Sequence, residues 1–316
     1  MPKLKAPCLC TSEQPLPRTL TALRQQGPVT SLGAGLDTLA LVGTQLSDSL
    51  ISTNNGVALL TGRGGYAPYQ TSAMPFRLSR NRINMRIAPD VPINLLRSND
   101  ATNTRQSLVL ACTEGDISHR IETACDYDGR VINAIEAQNE ICAAPQTPTI
   151  PGDVVPLAAV RNARDNWDQR ETGHHLNDIL VDGGVTRHTT LPYVGKSRAW
   201  PVAKQTLTSF VSFLCDRKIG HARLVPGSGF IQGDLATSGT AQMADQILLV
   251  SGTNSNFALD LAQIASVWVT RFGRLSQLEI YDEKSRAITI LGADPAADIT
   301  YWNALLESLP PASYSI

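Results

Sequence analysis

The apolar positions of this chain fall into short runs separated by turn residues. In NNGVALLTGRGG (54–65) and GSGFIQGDLATSG (227–239) a brief hydrophobic stretch is set between glycines, as in a hairpin strand. SLVLACTEGDISHRIE (107–122) and SQLEIYDEKSRAITIL (276–291) each read as strand, polar turn, strand, while NRINMRIAPDVPINLL (81–96) and NSNFALDLAQIASVWV (254–269) add further strands. A different rhythm closes the chain. In DITYWNALLESL the residues Trp302, Leu305, Leu306 and Leu309 recur at i, i+3, i+4 and i+7, one face of a helix, and Pro310 and Pro311 stop it.

These stretches pair across the chain. Gly35-Leu36-Asp37 leads into an apolar stretch ending at Gly43, as Gly184-Val185-Thr186-Arg187 leads into LPYVG ending at Gly195; the other three pairs follow in order, at offsets of 149, 173, 173 and 169 residues. Such order is the mark of an internal duplication. Helices segregated from antiparallel strands place the fold in the α+β class, as a tandem structural repeat whose halves each combine helices with an antiparallel β-meander sheet. The Pro-rich CAAPQTPTIPGDVVPL (142–157) lacks the backbone donors that a helix or central strand needs. The expected organisation is an N-terminal extension 1–29, an N-terminal repeat 30–142, a linker 143–157 and a C-terminal repeat 158–316.

Composition narrows the function. Residues 1–150 carry 13 basic and 12 acidic side chains (+1), leaving 14 and 16 (−2) for the rest, so the formal net charge is −1 and neither half has the cationic surplus of a nucleic-acid binder. No run approaches the roughly 18 apolar residues of a membrane span. MPKLKAPCLCTSEQPLP offers two lysines but no apolar core behind them, so it does not read as a secretory signal, and the cytoplasm is the expected location. The 6 cysteines have no repeated spacing, which suits buried or free thiols in a reducing compartment. Cys8 and Cys10 lack a second Cys/His pair at zinc-finger spacing.

The stretch most suited to ligation is NARDNWDQRETGHHLNDILVDGGVTRH (162–188). Its spacing predicts a helix over about 172–182, ended by Gly183-Gly184, with Arg187 starting the next element. His174 and His175 would point about a hundred degrees apart on a helix, so at most one faces a given pocket; from spacing alone a surface histidine is the ordinary reading. Among Arg77, Arg80, Arg82, Arg86 and Arg97, the residues Arg80, Arg82 and Arg86 would share a solvated face if their segment were one strand. GAGLDT (33–38) has neither the third glycine nor the βαβ context of a dinucleotide loop, and no G-x-S-x-G elbow is present. His119, His188 and His221 stand isolated.

FALDLAQIASVWVTRFGRLSQLEIYDEKSRAITIL (257–291) resembles the C-terminal signature of the HemS/HmuS-like (ChuS/PhuS-like) haem-utilisation proteins, most specifically in IASVWVTR followed by SQLEIYD. GSGFIQGDLATSG and WNALLESLP are similar to other parts of that family's second repeat, and NNGVALLTGRGGY, the 81–96 strands and DISHRIE to its first. The likeness spans nearly all of residues 30–310. It implies a cytoplasmic protein of iron acquisition that binds haem b (iron protoporphyrin IX). The family's pattern of a histidine ten residues before a glycine and thirteen before an arginine falls on His174, Gly184 and Arg187. By resemblance, then, His174 is the axial ligand of the haem iron, Arg187 the arginine of the opposite haem face, and Arg271 a further haem-binding residue.

The chain departs from the family where Leu176 and Asn177 replace two aromatics, where Phe272 replaces a lysine, and where LGADP replaces a basic strand end. Asn94 stands near the usual place of a first-repeat arginine. The resemblance implies a haem carrier that delivers imported haem to a degrading enzyme or other acceptor, with a haem oxygenase or an inner-membrane haem transporter as partner. Two alternatives stay open at this stage: an enzyme that opens the porphyrin ring with reductant and oxygen, and a degenerate member that no longer binds haem. No catalytic acid or base is identifiable, and neither nucleic-acid binding nor membrane insertion is expected.

Overall fold

A computed structural model describes residues 18–71, 77–88, 91–99, 106–112, 115–139, 157–168 and 187–312. The first part of the chain forms α1 (Leu20–Gln26), β1 (Val29–Ala34), α2 (Gly35–Gly43), β2 (Ser49–Asn54), β3 (Ala58–Gly64), β4 (Gln70–Thr71), β5 (Asn84–Ile87), β6 (Ile93–Asn99), β7 (Gln106–Cys112), β8 (Ile117–Thr123) and α3 (Asp126–Asn133). The second forms α4 (Leu157–Asp168), α5 (Arg187–Val194), β9 (Ala199–Val202), α6 (Leu207–Asp216), β10 (His221–Gly227), β11 (Phe230–Ala236), β12 (Thr240–Ala244), β13 (Ile247–Ser251), β14 (Ser255–Asp260), β15 (Ser266–Phe272), β16 (Leu275–Tyr281), β17 (Ala287–Ala293) and α7 (Ile299–Glu307). The strand, turn and closing-helix stretches read from the sequence fall on β3 and β11, β5–β6 and β14–β15, β7–β8 and β16–β17, and α7. Most of the linker and the stretch 169–186 lie outside the described residues.

The two sheets are built alike and share strands. One runs β1-β6-β7-β8-β2-β3-β14-β13-β12; the other, read from its opposite edge, runs β9-β15-β16-β17-β10-β11-β5-β4. Six strands of one half thus continue into strands supplied by the other, so the edge strand of each half, β3 or β11, is paired rather than open. All named pairs are antiparallel except β4 with β5. The α+β repeat is therefore present, but each half completes the other's sheet instead of forming a separate one.

Alternation along the strands sorts the side chains. Val267, Val269, Leu278 and Ile280 enter the largest core with Phe210, Val211 and Leu214 of α6 and Trp302 and Leu306 of α7. Trp268 and Phe272 point the other way and pack with Trp167 of α4 and Leu191 and Val194 of α5. In α5 the buried residues Arg187, Thr190, Leu191 and Val194 fall at i, i+3, i+4 and i+7. Asp298 caps α7 by accepting from the Thr300 and Tyr301 amides, and Trp302 Nε1 donates to the Ser276 carbonyl at 2.9 Å.

One expectation is corrected. Arg80, Arg82 and Arg86 do not share a solvated strand face, because β5 begins only at Asn84 and lies between β4 and β11. Arg80 and Arg82 precede it and are exposed, Arg80 Nη2 donating across the halves to Asp294 Oδ2 at 2.6 Å, whereas Arg86 is fully buried.

Candidate functional site

The face of the second sheet that meets α4 and α5 is polar at its centre. On β16 the alternation of SQLEIY sends Gln277, Glu279 and Tyr281 to this face, opposite Thr270, Trp268 and Ser266 of β15. Glu279 is fully buried. Its Oε2 accepts from Arg187 Nε at 2.9 Å and from the Tyr281 hydroxyl; its Oε1 accepts from Arg187 Nη2 at 2.7 Å, Thr270 Oγ1 at 2.6 Å and Gln277 Nε2 at 2.7 Å. Burial would push this carboxyl up, but the Arg187 guanidinium and the hydrogen bonds from Arg187, Thr270 and Tyr281 outweigh it and hold the pKa down to about 2. The carboxylate stays ionised and accepts only. Burial, with Glu279 alongside, raises Tyr281 well above its ordinary value, so it remains a phenol that donates.

Arg187 is the first described residue of α5, and the Gly183-Gly184 break lies outside the described residues. Its guanidinium carbon lies 4.6 Å from the Trp167 ring centroid and 4.9 Å from that of Phe272. Those two rings stack on each other, centroids 4.3 Å apart and planes within 11°. Trp167 Nε1 donates to the Arg271 carbonyl at 2.6 Å. The side chain assigned by resemblance to the opposite haem face is thus bound by a carboxylate and lies beside a stacked pair of aromatic rings, only 4% exposed; reaching a ligand requires it to leave Glu279. Arg271 lies on the other side of β15, where it donates to Glu307 and to Ser276 Oγ, with 30% of its side chain exposed. The two arginines therefore do not converge. Asn94 is buried within β6.

His174, His175 and Gly184 lie outside the described residues. The other three histidines are committed to the fold. His188 stacks on Tyr281 at 4.4 Å and bridges Ser285 Oγ (2.9 Å from Nδ1) and Ser266 Oγ (2.7 Å from Nε2), and burial lowers its pKa against the pull of Glu279 and Asp282. His119 is buried between Thr53 Oγ1 at 2.7 Å and the Tyr66 hydroxyl at 2.5 Å, and burial lowers its pKa to about 3. Since Thr53 Oγ1 donates to Gln232 Oε1 at 2.6 Å, His119 Nδ1 carries the proton and Nε2 accepts from Tyr66. His221 Nδ1 donates to the Ile219 carbonyl, and burial lowers its pKa to about 4. Among the described residues no group of histidine, cysteine and carboxylate side chains is arranged for a metal ion, and no described helix is long and apolar enough to cross a membrane.

Sequence reasoning missed Glu279 and Trp167. A signal was present: in SQLEIY the acid falls on the same strand face as Gln277 and Tyr281, and a carboxylate buried within a sheet needs a cation across from it.

No protein-family model and no curated protein matches the chain. Solved structures do. Apo-PhuS, a heme-binding protein from Pseudomonas aeruginosa, matches with a TM-score of 0.74 at 19% identity, over 90% of this chain and 87% of that chain. ChuS, an E. coli heme oxygenase, matches with a TM-score of 0.72 at 14% identity, over 92% and 91%. A second structure of ChuS, from E. coli O157:H7 and described as a heme degrading enzyme, gives 0.73 at 15% identity, over 90% and 87%. This chain shares their two-half α+β fold along almost its whole length.

Proposed function

We propose that this protein binds haem and acts in haem utilisation, as a cytoplasmic carrier that takes up haem and passes it to a degrading enzyme or other acceptor. The observation that carries the reading is the match in fold, over about nine-tenths of the chain, to one heme-binding protein and one heme oxygenase. At such low identity the likeness speaks for the scaffold, and the chemistry rests on the residues of this chain.

A porphyrin needs an apolar cleft, a neutral imidazole for its iron and cationic groups near its carboxylates. Of the 5 histidines, His119, His188 and His221 are tied into protein hydrogen bonds, which leaves the imidazole to His174 or His175. The family pattern ending at Arg187 selects His174. Trp167, Phe272, Trp268 and Tyr281 pack together on the face of the second sheet that meets α4 and α5; Arg271, carried over by resemblance, is partly exposed on the other side of β15 and would have to leave Glu307 to meet a propionate. Ligation by a single histidine leaves haem exchangeable, which suits delivery.

The test is a hemin titration of the wild type and His174→Ala. A saturable one-to-one Soret shift in the wild type, displaced or lost in the variant, is expected, and the band persists when ascorbate is added in air with catalase present. Decay of the band under those conditions would make the protein a haem-degrading enzyme. Absence of any saturable shift would reject haem binding and leave a scaffold that has lost its ligand.

A further inference from the structure

Each sheet has two edges, and the fold treats them unequally. An edge strand presents backbone donors and acceptors that another strand can take up, and proteins blunt such edges with proline, bulges, short strands or covering chain. Three of the four edges here are blunted. On β1 the register with β6 shifts between Ser31 and Ala34, the Ser31 carbonyl accepts from the Gln138 amide at 2.9 Å, and the Gln138 side chain lies against Gly33. β9 contains Pro201, whose carbonyl accepts from the Ala312 amide at 3.2 Å, and Val202 bridges Pro311. β4 is only 2 residues long. The fourth edge, β12, has none of these devices. Its 5 residues, TAQMA, hold an unbroken register with β13 from Thr240 opposite Ser251 to Ala244 opposite Ile247, and no described segment pairs with its outer side. Neither proline nor charge interrupts residues 236–244, and Thr240, Gln242, Met243 and Ala244 are exposed.

The two faces of β12 differ. Ala241 and Met243 stand opposite Val250 and Leu248, which belong to the core that holds Phe210, Val211 and Leu214 of α6. Ala241 packs against that core, while Met243, at its margin, is 45% exposed. Gln242 alternates to the opposite face.

We infer that β12 is the docking edge for a second copy of this chain, paired antiparallel about a two-fold axis at Gln242, so that two nine-stranded sheets become one. Such an interface is self-complementary: Thr240 of each copy faces Ala244 of the other, Ala241 faces Met243, and Gln242 faces itself. Met243 of one copy covers Ala241 of the other and carries the apolar core across the junction. The Gln242 amide has both a donor and an acceptor, so two copies bond each other on the axis; a charged residue there would meet its own charge and repel it. The formal net charge of −1 adds little repulsion between whole copies. A foreign strand would need its own match to TAQMA, whereas a second copy supplies one by symmetry. A single strand pair of this length buries far less than the roughly 1,600 Å² of a standard interface, so the association is reversible and grows with concentration. None of this depends on the haem reading.

The experiment is sedimentation velocity on the full chain from micromolar to near-millimolar concentration, with wild type beside Gln242→Lys, an exposed substitution whose folding is checked by circular dichroism. The wild type moves from monomer to dimer as concentration rises, and Gln242→Lys stays monomeric throughout. Oxidative cross-linking reads the register independently. Residues directly opposite in an antiparallel pair have Cα atoms about 4.5–5.5 Å apart, within disulfide range, whereas two copies of Thr240 would stand about 14 Å apart. Gln242→Cys is therefore trapped as a covalent dimer, and Thr240→Cys is trapped no more than wild type oxidised in parallel. A wild type that is monomeric at every concentration would overturn the inference and leave the edge to a strand of another protein. Association that Gln242→Lys leaves unchanged, or Thr240→Cys cross-linking as readily as Gln242→Cys, would overturn it equally.

Discussion

Two helix–sheet contacts, one in each half, bury opposite chemistry. Leu110 of β7 lies opposite Leu95 and His119, and Glu279 of β16 lies opposite Trp268 and Ile290. Gly35 of α2 sits on Leu110 and Arg187 of α5 on Glu279. In the first contact a small residue lies on a buried leucine; in the second a guanidinium lies on a buried carboxylate. The two contacts use opposite faces of the repeated sheet: Leu110 packs with Ile132 of the closing helix α3, as Leu278 and Ile280 pack with Trp302 of α7, whereas Glu279 faces α4 and α5. One face of the repeat therefore carries the apolar cores under the closing helices, and the other, in the second half, is centred on an ion pair.

Breaking the pair on one side should give the largest effect. Glu279→Leu leaves Arg187 buried without its counter-charge and is expected to cost about 3–5 kcal/mol of stability. The double variant Arg187→Leu, Glu279→Leu, which replaces the ion pair by two apolar side chains, should regain most of that loss in urea denaturation. A double variant as unstable as Glu279→Leu would show that this face requires the ion pair. The converse change, Leu110→Glu, places an unpaired carboxylate under Gly35 and should destabilise by at least about 3 kcal/mol.

Acid sharpens the comparison next. His119 is neutral in the fold with a pKa of about 3 against an ordinary 6.5, so the unfolded chain takes up the proton first as pH falls. Its contribution is complete above pH 6.5 and is lost progressively toward pH 3; His221 acts the same way in the second half down to about 4. The wild type should therefore lose Tm steadily below pH 6.5, and His119→Gln should flatten that slope by roughly 1 kcal/mol per pH unit. An unchanged slope would mean that His119 titrates without cost.

The smallest effect separates the closing helices. Asp298 caps α7 through two amides, whereas Cys125 at the same position of α3 makes no side-chain cap bond. Asp298→Ala should cost about 1 kcal/mol and Cys125→Ala much less, as thermal melts of the two variants would show. Equal losses would imply that Cys125 holds α3 through its contact with Ser47 Oγ.

The sequence by itself determined what depends on near neighbours. Residue alternation and turn glycines located the paired strands of both halves, and the i, i+3, i+4, i+7 spacing located α7. A histidine pattern pointed to a stretch that lies outside the described residues. Tertiary structure decided what depends on distant ones. Strand pairing joins residues far apart in the chain, so nothing local shows that β14 completes the first sheet and β5 the second, or that Arg86 is buried between two strands instead of exposed on an edge. The same holds for the pair at the site: an arginine opening a helix and a glutamate in a strand are unremarkable separately. Only folding brings Arg187 and Glu279, 92 residues apart, to hydrogen-bonding distance in a place from which water is excluded.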